Sequence, residues 1–116
     1  MKINVEKQNV KQWLDVLSEA SKSDHYGKLW RRVHYLVAVP SRKRASVNLY
    51  KINKNSKDGD NIVVPGKVLS TGPIEHRVNI SAIEFSETAM KSLKEANCKI
   101  VDIREMIKAN RVHVIV

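Results

Sequence analysis

Cysteine occurs once in this chain, at Cys98, which excludes a disulfide framework and a four-thiolate zinc site. A reducing compartment is the simple expectation. Long apolar runs are missing too: the longest, Tyr35 to Val39, is far too short to cross a bilayer. The opening residues, Met1-Lys2-Ile3-Asn4-Val5-Glu6-Lys7-Gln8, hold no apolar signal core. A soluble cytoplasmic protein with no membrane partner is expected. Aromatics make up 5% of the chain, too few for a platform that stacks successive bases. Acidic residues number 12 against 21 Lys and Arg, a net charge of +9. That balance disfavours an enzyme with no polyanion contact and favours nucleic acid, or less often an anionic surface. His25, His34, His76 and His113 are scattered without ligand spacing, and no nucleophile–base–orienter set is visible. No catalysis, cofactor, metal or small-molecule substrate is therefore expected.

The chain does have a modest core and a concentrated positive charge. Its 116 residues, 42% hydrophobic, suffice for one domain over 1–116. Val10, Trp13, Leu14, Leu17 and Ala20 mark one face of an amphipathic helix. After a polar break from Lys22 to Gly27, Leu29, Trp30, Val33, Leu36 and Val37 repeat the helical spacing up to Pro40, which ends it. Trp13 and Trp30 lie on the apolar faces and are expected in the core. Residues 1–39 thus form a helical portion, and residues 40–116 an α/β portion.

In the second portion Val47 and Leu49 alternate with polar residues, and Tyr50 to Ile52 fit a continuing strand. Asn53 to Asp60 reads as a polar loop closed by Asp58-Gly59-Asp60. Ile62-Val63-Val64 and Val68-Leu69 flank Pro65-Gly66, whose residue types suit a type II turn. Thr71-Gly72-Pro73 is a further break, and Val78, Ile80 and Ala82 alternate as a half-buried strand. Ser86 is placed to cap a helix with apolar face Ala89, Leu93 and Ala96. Lys99 to Val101 fits a short strand, Asp102 and Glu105 the ends of a capping box, and Asn110 a left-handed helix terminus. Val112, Val114 and Ile115 make a final strand. No repeat is apparent.

Seven Lys or Arg stand against Asp58 and Asp60 in residues 40–69, a net of +5, while 70–116 carry only +1. Arg42, Lys43 and Arg44 follow a helix-ending proline, and guanidinium groups on a fixed loop grip phosphate oxygens. Arg31 and Arg32 precede the same loop on the second helix; one of them can instead bond to Asp24 or a backbone carbonyl. Lys51, Lys54 and Lys57, interleaved with Asn48, Asn53, Asn55 and Ser56, form a second polar and basic stretch. Each group also fits a plain solvated surface; the regional charge favours RNA contact. Pro65-Gly66-Lys67 is no phosphate loop, because the first Gly and the Ser/Thr of that motif are missing, so a turn presenting Lys67 to RNA is expected. Cys98 reads as a small buried residue.

Several of these residues resemble the archaeal and eukaryotic large-subunit ribosomal protein family L-eighteen-e, a relative of bacterial L-fifteen. The likeness rests on Trp30-Arg31, on P-x-R-x-R-x-x-V-N from Pro40 to Asn48, and on Gly59-Asp60. It continues in Val63-Val64-Pro65-Gly66-Lys67-Val68-Leu69, Ala82, Phe85-Ser86 and Ala89. The resemblance implies an α/β fold of irregular β-β-α turns wound as a superhelix behind an N-terminal helical portion. It also implies a structural, non-catalytic role on the ribosome, with large-subunit ribosomal RNA and neighbouring ribosomal proteins as partners. A free-standing RNA-binding or chaperone protein is the alternative. Two positions depart from the family pattern: Ala96-Asn97-Cys98 replaces Ala-Gly-Gly, and Ser70 stands where Gly usually follows Leu69.

Overall fold

A computed structural model of the protein describes residues 5–23, 26–109 and 111–116, with side chains from Gln8 onward. Two amphipathic helices come first, α1 (Val5–Ala20) and α2 (Gly27–Ala38). The spacing legible in sequence is the face they bury. Trp13 and Leu17 pack with Trp30, Val33 and Val37, and the two indoles keep only 5% and 2% exposure. Burying each such side chain contributes about 2 kcal/mol. Val39 is extended and Pro40 follows, so α2 stops where expected.

A 3-10 turn at Ser41–Lys43 leads to β1 (Ala45–Asn48), then α3 (Leu49–Lys54), β2 (Asn61–Leu69) and β3 (Asn79–Phe85). After these come α4 (Glu87–Glu95), β4 (Lys99–Ile100), α5 (Ile103–Met106) and β5 (His113–Val114). The strands form one sheet in the order β1-β2-β3-β4, and every pairing is parallel. β3 takes one edge of β2. The other edge is shared: β5 pairs at Ile62↔His113 and β1 from Ala45↔Gly66 to Asn48↔Leu69. The fold is mixed α/β.

Helices cover both faces of the sheet. Ile62, Val64, Val68 and Ile80 pack with Leu49 and Ile52 of α3 and with Ala89 and Leu93 of α4. Val63 and Ile83 pack instead with α1, α2 and α5. Asn9 Nδ2 ties α1 to the sheet by donating to the Ile83 carbonyl at 2.8 Å. A strand buried on both faces reads as an unbroken apolar run, which is what Ile62-Val63-Val64 is.

Four expectations need correction. Tyr50 to Ile52 do not extend β1; Leu49 and Ile52, three apart, are both buried by one turn of α3. The strand signal misled because Val47, Leu49 and Ile52 all reach the same core. Pro65-Gly66 is not a turn either. β2 runs straight through it, with both residues buried. On the β3 side the register steps from Val64↔Ala82 to Lys67↔Glu84, so β2 holds one extra residue, a bulge. A bulge is where a strand tolerates a proline, which has no N–H for the ladder. β3 is buried on both faces rather than one: Ser81 and Ile83 are as hidden as Ile80, and Ser81 Oγ donates to the Val101 carbonyl at 2.6 Å. Cys98 is half-buried, with Sγ 3.5 Å from the His76 carbonyl.

Other local signals hold in whole or in part. Ser86 Oγ accepts the Ala89 N–H at 3.1 Å and caps α4. Asp102 Oδ1 accepts the Arg104 N–H at 2.9 Å and caps α5, but the capping box expected with Glu105 does not form, because the Glu105 carboxylate faces Lys108 Nζ at 4.0 Å. Asn110 lies outside the described residues, as does Asp24. A repeat invisible in composition emerges from the stacking: Asn61-Ile62-Val63-Val64 lies in register on Asn79-Ile80-Ser81-Ala82. Asn79 Nδ2 donates to Asn61 Oδ1 at 3.0 Å, and Asn61 Nδ2 to the Arg111 carbonyl at 2.9 Å. This amide ladder joins the starts of β3, β2 and β5.

Candidate nucleic-acid interface

The sequence-predicted basic residues gather in two clusters. In the first, Arg42 and Lys43 are exposed on the 3-10 turn and Arg44 is half-buried beyond it. Lys67 is the β2 partner of Ser46 in the adjoining strand. Arg42, Arg44 and Lys67 line one open depression of about 310 Å³, with Ser41, Ser46 and Glu84. Strand pairing fixes the backbone beneath it, so few torsions need freezing when a ligand arrives. Lys67 Nζ stands 3.9 Å from Glu84 Oε1 with both side chains about two-fifths exposed, a pairing worth little in water.

Arg31 and Arg32 are exposed on α2. Arg31 Nε donates to the Gly27 carbonyl at 3.2 Å, one of the two internal partners open to it in sequence. Tyr35, at 71% exposure, lies on the same helix three residues beyond Arg32.

The second cluster begins on α3. Lys51 and Lys54 are exposed on the helix and Lys57 on the loop after it. Lys51 Nζ donates to the Val116 main-chain oxygen. The interleaved polar residues are largely engaged inside the fold. Asn55 Nδ2 and Ser56 Oγ bond to the Lys51 and Ile52 carbonyls, and Asn53 Oδ1 accepts the Glu75 N–H. Asn48 is exposed at the end of β1, and its side chain does not cap α3. Lys54 and Lys57 line an open depression of about 410 Å³ that also takes in Asp60, Arg111 and His113. The last two were not grouped with the lysines in sequence, because only the β5–β2 pairing brings them there.

Among the described residues, Arg31, Arg32, Arg42, Lys43, Lys54 and Lys57 form no ion pair with a carboxylate. Other pairs, such as Lys22–Glu19 and Lys108–Glu105, lie on different elements. No described helix is long and apolar enough to cross a membrane. The described residues hold no group of three or more His, Cys, Asp or Glu able to bind a metal ion.

No protein-family model matches the chain. Individual proteins do. Large ribosomal subunit protein eL18 of Thermoplasma acidophilum is 48% identical over 83 residues, 72% of this chain and 69% of that protein. The protein of the same name from Sulfurisphaera tokodaii is 36% identical over 99 residues, 85% of this chain and 80% of its own. That from Methanoregula boonei is 35% identical over 97 residues. The chain belongs to the eL18 family of large ribosomal subunit proteins. The motifs around Pro40 to Asn48 and Val63 to Leu69 therefore pointed to the right family. Both departures from the eL18 pattern are accommodated: Asn97 takes the left-handed φ of 61°, and Gly72, two residues past Ser70, takes φ 88°.

Arg44 differs from its neighbours in what it touches. Its Nε donates to the Val37 carbonyl at 3.2 Å and its Nη2 to the Val39 carbonyl at 3.1 Å. Those carbonyls belong to the end of α2, where no further helical N–H can reach them. Arg44→Gln is expected to cost about 2 kcal/mol of stability through these lost charge-assisted bonds. Urea unfolding checks this; an unchanged midpoint would show that the contacts contribute nothing.

Proposed function

We propose that the protein is a non-catalytic structural constituent of the large ribosomal subunit, located on cytoplasmic ribosomes, and that it binds ribosomal RNA through its two basic clusters. Membership of the eL18 family supports the ribosomal role. One observation carries the RNA-binding part: Arg42, Lys54 and Lys57 are exposed and, among the described residues, form no ion pair with a carboxylate, and with Arg44 and Lys67 they line two open depressions. The mechanism is electrostatic. Each cation that meets a phosphate releases a condensed counterion, and fixed spacing of the cations selects RNA shape rather than sequence. Arg42 and Lys43 on the 3-10 turn, with Arg44 and Lys67 behind them, meet one backbone segment; Arg31 and Arg32 add contacts along α2. Lys51, Lys54, Lys57 and the exposed amide of Asn48 meet another.

With about six cations on phosphates, affinity for large-subunit RNA should fall about a thousandfold between 50 and 200 mM salt. A log–log slope near zero in that range would falsify the phosphate-dominated mechanism. Stoichiometric recovery in purified large subunits separates this reading from a free-standing RNA-binding protein.

A further inference from the structure

We infer that Arg111 and His113 complete a phosphate-binding subsite with Lys54 and Lys57, which takes one phosphodiester of the RNA backbone. The inference rests on the RNA-binding reading above and names a site within it. Four side chains from two stretches of sequence, 54–57 and 111–113, line a single open depression of about 410 Å³. The β5–β2 register, Ile62↔His113, brings the second stretch to the first. Arg111 is held at its backbone, because its carbonyl accepts the Asn61 amide at 2.9 Å and Asn61 is itself tied to Asn79. The guanidinium thus projects from an anchored main chain. A planar fork of donors of this kind grips a phosphodiester in a bidentate way, while each lysine supplies a point charge.

Asp60 is the one acid in the lining, and it is already engaged. Its Oδ2 accepts the Lys57 N–H at 2.8 Å and faces His113 Nε2 at 3.8 Å. Three permanent cations outweigh that single carboxylate, so the depression is positive whether or not the imidazole carries a proton. An open, shallow, positive site suits a strand that passes through it, and it gives no means of sealing in a small molecule.

The test uses the whole protein and large-subunit RNA. Arg111→Gln keeps the carbonyl that Asn61 holds, and should lower the log–log salt slope by about 0.8 and the affinity near 0.1 M salt by about sixfold. Arg104→Gln, on the charge-balanced surface of α5, should change neither. A wild-type slope for Arg111→Gln, alongside a reduced slope for Arg42→Gln, overturns the subsite and leaves the broader reading standing. Unchanged slopes for both overturn the two together. A second measurement needs no substitution: RNA should protect Arg111 of the unaltered protein from an arginine-specific dicarbonyl reagent. Protection in the intact subunit but not by RNA alone would mean that a protein covers this face, and would overturn the assignment.

Discussion

Gly66→Ala should cost about 3 kcal/mol and lower the melting temperature by roughly 10 °C or more, although it adds a single methyl group. A Cβ at this position would lie 1.9 Å from the Ala45 carbonyl oxygen and 2.8 Å from its carbon. Both are backbone atoms, so no side-chain rotation relieves the clash; β1 must move away from β2. The displacement would strip the Ala45↔Gly66 pairing and pull Val47 from the core it shares with Val68 and Leu49. A loss of that size is a large fraction of the ~5–15 kcal/mol that holds a small domain together. Because β1 begins one residue after Arg44, the first basic cluster should loosen with it. Thermal unfolding followed by circular dichroism decides the matter. A melting temperature within about 2 °C of the parent would show that β1 is not pinned as the geometry requires.

Neutralising Arg32, Arg42 and Lys43 together to glutamine should do the reverse, sparing the fold and removing the grip. All three are exposed, and among the described residues none is paired with a carboxylate. Stability should change by no more than about 0.5 kcal/mol for each. Three lost phosphate contacts should weaken binding to large-subunit RNA on the order of 100-fold near 0.1 M salt and flatten the salt slope by about 2. Fluorescence anisotropy across a salt series measures both. An affinity within threefold of the parent would move the interface elsewhere on the molecule.

How much of this the sequence disclosed follows from the range over which each signal acts. α1, α2 and the Ser86-capped α4 were legible because helical spacing and a cap residue are local. α3 was not, since its six residues are too few for a period to show beside the Val47–Leu49 alternation. Pro65-Gly66 failed for the opposite reason. Its local turn signal is strong, but the approach of Ala45 and the shifted register with β3 outweigh it. The first cluster was visible because its charges are close in sequence, with Lys67 joining by strand pairing. Arg44 looked like its neighbours until its contacts with the end of α2 separated it from them. Arg111 carried no sequence signal toward Lys54, because strand pairing alone joins them.

The one-way run of the strands has a consequence for biogenesis. Among the described residues no neighbouring strands are closed by a tight hairpin, and β5 meets β2 through partners 51 residues apart, Ile62 and His113. The depression around Arg42 draws only on residues 41–84, whereas the one around Lys54 stays unfinished until residues 111–113 emerge. On the RNA-binding reading proposed above, a growing polypeptide would acquire its hold on nucleic acid in two steps, the second delayed by the time needed to translate the intervening stretch. Ribosome-bound chains with residues 1–105 outside the exit tunnel should footprint fewer phosphates than chains with residues 1–116 outside it; equal footprints would count against such an order.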